Sequence, residues 1–237
     1  MNRTLFSEVQ RLFERTYASV GINLEDCLID RARCSQLSRL AGRSARELSD
    51  LARTFLRASD DRLYVGIYYS SWLIEQLERH DPRGGLSNSN IRSLIMFVEE
   101  INHALHAALQ FKAGLRRIDS EDFARNLELQ AMVDTYMVLL IFVAFFRKTQ
   151  RVSRMDRRWL RFHLFESRAK NAFEDENLRA RYLETGELAS SYTHYLDTLN
   201  GARRLDEIRN FHALPYDAKK RHILALMNKP APPEQRE

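Results

Sequence analysis

Apolar side chains recur every three or four positions along most of this chain. The first such series, within residues 3–20, comprises Leu5, Phe6, Val9, Leu12, Phe13 and Tyr17. A second follows a capping box of Ser44 and Glu47 and comprises Leu48, Leu51, Phe55 and Leu56. Because residues three and four apart share one face of a helix, the spacing predicts amphipathic helices over 3–20 and 43–58.

One segment has the composition of a strand instead. Arg62–Tyr69 (RLYVGIYY) is rich in aromatic and β-branched residues and follows the polar turn Ser59-Asp60-Asp61. These residue types suit a pleated surface, so the segment predicts a strand. Ser70 or Ser71 then caps a predicted short helix.

Two long apolar helices are predicted after the strand, at about 91–111 and about 121–146. Residues 150–228 predict several more helices, with a stop at Asn200-Gly201. The fold class is therefore mainly α, or α+β with a small sheet. We expect bundle-like packing around the long apolar helix at about 91–111.

Composition supports this fold class and suggests how the chain divides. Among 237 residues there are only 8 glycines and 5 prolines, which favours long helices over the many turns of a β-sandwich. Arginine becomes frequent from about residue 147. We therefore predict a helix and small-sheet domain over 1–146, an arginine-rich helical subdomain over 147–228 packed on it, and a disordered tail over 229–237.

Cysteine content and hydropathy suggest the cellular setting. Cys27 and Cys34 have a spacing that fits no common zinc or redox motif, so we expect two reduced thiols. The first residues are charged and contain no apolar signal core. The longest apolar run, Tyr136 to Phe146, is shorter than the ~20 residues that a membrane span needs. We expect a cytoplasmic protein with no membrane partner.

The helix predicted at about 91–111 carries the residues with the clearest chemical potential. Its central part, Ser93–Leu109, contains no lysine or arginine and is apolar around most of its circumference. In its middle lie four ionisable side chains, Glu99, Glu100, His103 and His106. Because an unpaired buried carboxylate is costly, these groups need a partner such as a metal ion, an ion pair or a wet cleft.

Spacing predicts which of these side chains lie together. Glu99 and His103 are four residues apart and share one face of the helix, and His106 lies near the same stripe as a possible additional ligand. On the next predicted helix, Glu128 lies among small residues that allow close approach. Asp134 lies on another side of that helix, where it could accept a hydrogen bond from a ligating histidine.

This arrangement resembles the zincin metallopeptidases in which an HExxH helix is followed by a ligand glutamate. The resemblance covers about residues 60–140. It implies a peptidase-type hydrolase with a divalent transition metal, zinc first, and a peptide or protein substrate. It also implies that Glu100 is the general base and that His103 and Glu128 are ligands. Glu99 replaces the first histidine, which makes the site more anionic or marks an inactive relative.

Three interpretations of the cluster stay open: a metal site, a metal-free polar cleft, and polar groups with a structural role. A ferritin-like di-iron bundle would need two Glu-x-x-His motifs. Glu100-x-x-His103 is one, and the later helices carry no second copy. We therefore retain the hydrolase as the leading hypothesis.

The alternative is a non-catalytic protein that binds nucleic acid or a protein through its arginine-rich half. The net charge is +5, which permits an anionic partner without requiring one. Five arginines follow helical spacing on one face: Arg147, Arg151, Arg154, Arg158 and Arg161. Such a stripe could follow a phosphate backbone. A solvated face, or pairing with the acidic residues 174–176, accounts for it better, because the stretch contains no recognisable nucleic-acid motif.

Overall fold

A computed structural model describes residues 4–41, 50–146, 151–167 and 175–228 of the chain. The helices in these ranges are α1 (Leu5–Thr16), α2 (Arg31–Leu40), α3 (Ser71–Arg79), α4 (Ile91–Lys112), α5 (Glu121–Phe146), α6 (Arg154–Arg161), α7 (Glu176–Thr198), α8 (Gly201–His212) and α9 (Tyr216–Met227). The strands are β1 (Ala52–Ser59) and β2 (Arg62–Tyr69). With 71% helix and one two-stranded sheet, the predicted fold class is confirmed.

The two strands form an antiparallel hairpin. Pairing runs from Ser59 opposite Arg62 to Ala52 opposite Tyr69, and Asp60 adopts a φ of 51° in the turn between them. The strand prediction for Arg62–Tyr69 is confirmed. The helix prediction over 43–58 is wrong from Ala52 onward, because pairing with β2 overrides the helical spacing of the apolar residues. Its capping box, Ser44 and Glu47, lies outside the described residues.

The observed helix boundaries at Ser70 and Asn200 agree with those predicted from the sequence. The Ser70 hydroxyl accepts a hydrogen bond from the Leu73 amide at 3.2 Å and caps α3 as predicted. α7 ends at Thr198, and Asn200 caps α8, so the predicted break at Asn200-Gly201 is confirmed. The predicted long helices correspond to α4 and α5.

The core lies on both sides of the α4–α5 pair. One apolar cluster joins α4, through residues such as Val98 and Ile101, to α1, α3 and the sheet. A second joins Met132 and Val133 of α5 to α7, α8 and α9. The helices of the predicted arginine-rich subdomain therefore pack against α5, which places the predicted Glu and His residues at the centre of the molecule. The predicted tail, 229–237, lies outside the described residues.

Helix α5 is also long and apolar enough to cross a membrane by length and composition alone. In this structure 72% of its most apolar window is buried against the rest of the protein. Core helices of large domains commonly have this composition, so the finding is weak support for a membrane span.

The four stripe arginines that the structure describes do not form one exposed helical stripe. Helix α6 begins only at Arg154, after a capping box of Ser153 and Asp156, so Arg151 precedes it. Arg161 is buried, and its guanidinium donates to Asp197 and Thr193. Arg154 and Arg158 remain exposed, whereas Arg147 lies outside the described residues. The stripe prediction is therefore wrong for Arg151 and Arg161, because a helix start and an internal carboxylate intervene.

Candidate functional site

A cleft of about 1420 Å³ is bounded by β1, α4, α5 and α7. Four of the predicted site residues line it: Glu99, Glu100 and His103 from α4, and Glu128 from α5. Apolar side chains such as Ile95 and Leu127 supply most of the remaining wall. A concave apolar surface with a few converging polar groups is the usual form of a ligand site.

His103 lies between two carboxylates at this position. Its Nδ1 atom is 3.6 Å from Glu100 Oε2, three residues earlier on α4. Its Nε2 atom is 3.7 Å from Glu128 Oε2, which comes from α5. Sequence periodicity could place Glu99, Glu100 and His103 on one helix, but the approach of Glu128 depends on how α5 packs beside α4.

The carboxylates determine the charge of His103. Burial acts to lower the pKa of the imidazole, but Glu128, Glu100 and Glu99 together outweigh it and raise the pKa to about 9. In this arrangement His103 is an imidazolium at neutral pH. Its Nε2 atom nevertheless makes no hydrogen bond, because the 3.7 Å to Glu128 Oε2 is too long for one. The same atom is shielded from solvent.

Tyr182 of α7 completes the cluster, and no sequence pattern predicts it. Its hydroxyl donates to Glu128 Oε1 at 2.8 Å and so fixes one oxygen of the carboxylate while the other faces His103. Tyr182 is 54 residues from Glu128 and belongs to no motif. Only the packing of α7 against α5 reveals the contact.

The wall of the cleft nearest the cluster comes from β1. Ala52, Arg53, Thr54 and Leu56 line it, and the Thr54 hydroxyl donates to the Glu100 carbonyl at 3.0 Å. Strand β2 contributes no residue to this wall. It lies between β1 and the segment Leu28–Ile29, whose Ile29 amide donates to the Ile67 carbonyl.

His106 lies outside the cleft, in a separate buried network. It is fully buried, and its Nε2 atom is 2.7 Å from Asp134 Oδ2. Because an ionised carboxylate only accepts, His106 donates through this nitrogen. Asp134 therefore accepts from a histidine, as predicted, but from one that the structure separates from Glu99, His103 and Glu128.

The network around Asp134 extends to three other side chains. Asn102 donates to Oδ2 at 2.8 Å, Gln130 donates to Oδ1 at 3.1 Å, and the Tyr17 hydroxyl also donates to Oδ1. Burial acts to raise the pKa of Asp134, yet His106 and the hydrogen bonds from Tyr17 and Asn102 hold it below its usual range. The carboxylate is therefore ionised and saturated with donors.

Lys219 of α9 joins this network at its far side. The side chain is fully buried, and its Nζ atom donates to Gln130 Oε1 at 2.6 Å. Burial lowers the pKa of Lys219 to about 7, although Asp134 acts in the opposite direction. A buried amine without a carboxylate in hydrogen-bond contact is a source of pH-dependent stability.

The cluster in the cleft matches part of a metal site. Within the described ranges, no three or more His, Cys, Asp or Glu side chains converge closely enough to hold a metal ion. Two groups do fit: the unpartnered Nε2 atom of His103 and the facing oxygen of Glu128. An ion at this point would therefore have two protein ligands unless Glu99 joined them.

Comparison with protein-family models, with curated proteins and with solved structures finds no match to this chain.

Proposed function

We propose that the cleft binds a divalent transition metal ion, zinc first, between His103 and Glu128, and that the protein is a metal-dependent hydrolase. The observation that carries the proposal is the solvent-shielded Nε2 atom of His103. It has no hydrogen-bond partner and faces a carboxylate of the neighbouring helix at 3.7 Å. A buried polar atom that makes no hydrogen bond is costly, and coordination of the neutral imidazole to a metal ion would satisfy this one.

The separation of the two groups supports the proposal. Zinc ligands bond at about 2.0–2.2 Å, so two ligands at a tetrahedral angle lie about 3.4 Å apart. The observed 3.7 Å is close to this value. Catalytic sites keep coordination positions open for water and substrate. When bound, the ion would act as a Lewis acid toward a substrate oxygen.

The neighbouring side chains would orient His103 and Glu128 for binding the ion. Glu100 lies 3.6 Å from the Nδ1 atom of His103, so that a small side-chain movement would let its carboxylate accept a hydrogen bond from the ring and set its tautomer. Tyr182 holds the second oxygen of Glu128. Glu100 therefore fits an orienting role better than the general-base role that the zincin resemblance implies, while Glu99 stays a predicted ligand.

Zinc titration by calorimetry, with protein that carries no histidine tag, tests the proposal. We expect saturable binding at one site per chain, with release of about one proton because the imidazolium must deprotonate to bind. H103A should abolish binding, and E128Q should weaken it. H163A is the matched control, since His163 lines the same cleft beside Asn88.

Two results would contradict this proposal: no zinc binding by the wild-type protein, or equal losses in H103A and H163A. If zinc binds, its addition should support hydrolysis of members of a mixed peptide or ester library. H103A should be inactive on the same library. Zinc binding without hydrolysis would remove the enzymatic part and leave the metal site.

The alternative, binding of nucleic acid through the arginine-rich half, stays a prediction without a contact that favours it. Arg157 and Arg161 are both engaged by Asp197 inside the protein. Of the predicted stripe, Arg151, Arg154 and Arg158 are exposed, but only the last two belong to α6. Within the described residues these three do not by themselves indicate a phosphate-binding surface.

A further inference from the structure

The buried network around Asp134 joins the same two helices as the His103–Glu128 pair. Asn102 and His106 of α4 both donate to Asp134 of α5, at 2.8 and 2.7 Å. Asn102 directly precedes His103, and His106 is three residues after it. The contacts to Asp134 therefore bracket His103 along α4 while the cleft lies on another side of the helix pair.

The strength of this connection follows from its burial. Asp134, Asn102 and His106 are all at most 2% exposed. Hydrogen bonds to a charged acceptor that is shielded from water are stronger than neutral ones, and leaving any of these groups unpaired is costly. The network therefore fixes how α4 and α5 lie against each other close to the cleft.

We propose that Asp134 is a positioning residue that sets the approach of Glu128 to His103, and that it acts through hydrogen-bond geometry. The inference deepens the proposed function, since it names what holds the two groups at their separation. Asp134 touches neither of them. It determines the relation of the two helices from which their side chains extend.

Replacement by asparagine separates geometry from charge. The Asn102 Oδ1 and His106 Nδ1 atoms have no hydrogen-bond partner. Asn102 can therefore turn its amide, and His106 can move its proton to Nδ1, so that both accept from an asparagine amide at position 134. Tyr17 and Gln130 would still donate to the remaining oxygen. D134N should keep the helix arrangement, and D134A should lose it.

A metal-independent measurement tests this directly. In metal-free protein, the nuclear Overhauser effect between the His103 ring and the Glu128 methylene protons reports whether the two side chains are adjacent. We expect this signal in the wild type and in D134N, and its loss in D134A. L94A is the matched control, because Leu94 is a fully buried core residue of α4 whose truncation destabilises without touching the network.

Zinc affinity supplies the second measurement. D134A should bind zinc about 10–100-fold more weakly, the usual effect of removing an outer contact of a metal site, while D134N and L94A stay close to the wild type. If D134A fails to fold, N102A removes one of the two bonds from α4 and should give a smaller loss of both signals.

The outcomes separate this inference from the proposed function. An unchanged Overhauser signal in D134A, or an equal loss in L94A, overturns the inference whatever zinc does. A loss in D134N as large as that in D134A shows that charge is required and contradicts the geometric role. Absence of zinc binding in the wild type refutes the metal site, while the Overhauser signal still decides the role of Asp134.

Discussion

We expect D197A to lower the free energy of unfolding by about 3 kcal/mol, the lower end of the range for a broken buried ion pair. Asp197 accepts hydrogen bonds from Arg157, from Arg161 and, at 2.7 Å, from the Tyr136 hydroxyl. The substitution leaves Arg161 without a carboxylate, and its charge cannot turn fully to water because the side chain is only 9% exposed. In a chain of this size the melting temperature should fall by roughly 10 °C, measured by calorimetry or circular dichroism.

Two further variants show whether the ion pair is the cause. In D197L/R161M the two most buried charges of this cluster are replaced by apolar groups of similar size, a change that is often neutral or stabilising. Arg157 also loses its carboxylate, but its side chain is 26% exposed and can turn to water, so most of the lost stability should return. R154M should have no measurable effect, because Arg154 is exposed on the same helix. A double variant that melts as low as D197A would show that the loss comes from packing and not from the uncompensated charge.

The second large effect concerns Lys219, and it should be stabilising. The pKa of Lys219 is about 7 in the folded protein and near 10.5 in the unfolded chain, because burial disfavours the ammonium form. The unfolded state therefore binds more protons between pH 7 and pH 10.5, and stability rises with pH across that window. Below about pH 7 both states are protonated, and the full cost of burying the charge is present.

K219M removes this cost and its pH dependence. Gln130 Oε1 loses its donor, which costs about 1–3 kcal/mol and offsets part of the gain. We expect a melting temperature about 5 °C above that of the wild type at pH 7, for a net gain of roughly 2 kcal/mol. The advantage should shrink steadily toward pH 10.

K220M is the control for K219M. Lys220 is the next residue on α9, is partly exposed and pairs with Glu184. Because its ammonium group is already partly exposed, its replacement should not reproduce the gain of K219M at pH 7. A K219M difference that is constant with pH would show that Lys219 carries its charge in the folded protein and that its pKa is not lowered.

The parts of this fold that depend on local spacing could be predicted from the sequence. Helices α4 and α5 follow from apolar periodicity, and so does the shared face of Glu99 and His103. β1 could not be predicted in this way, because its apolar residues are also compatible with a helix. Its strand conformation depends on hydrogen bonds to β2 that no local window contains.

In the candidate site, too, some residues could be predicted from local spacing and others depend on distant contacts. Glu128 could be proposed because it lies on the helix that follows α4, where neighbours in sequence are often neighbours in space. Tyr182 and Lys219 come from helices 50 to 90 residues further on, and no spacing rule connects them to α5. Spacing on α4 predicts that His106 lies near the ligands. In the structure its Nε2 atom is instead 2.7 Å from the buried carboxylate of Asp134.

The position of α5 has a consequence for how the chain is made. This helix, whose apolar window has a mean hydropathy of 2.0, is complete at Phe146, but the helices α7 and α9 that cover it come from residues 176–227. During synthesis it must therefore leave the ribosome before its covering helices exist. A nascent chain that has grown only a little beyond Phe146 would expose this apolar helix to chaperones and to targeting factors. The helix becomes buried only when the last third of the protein has been made and has folded against it.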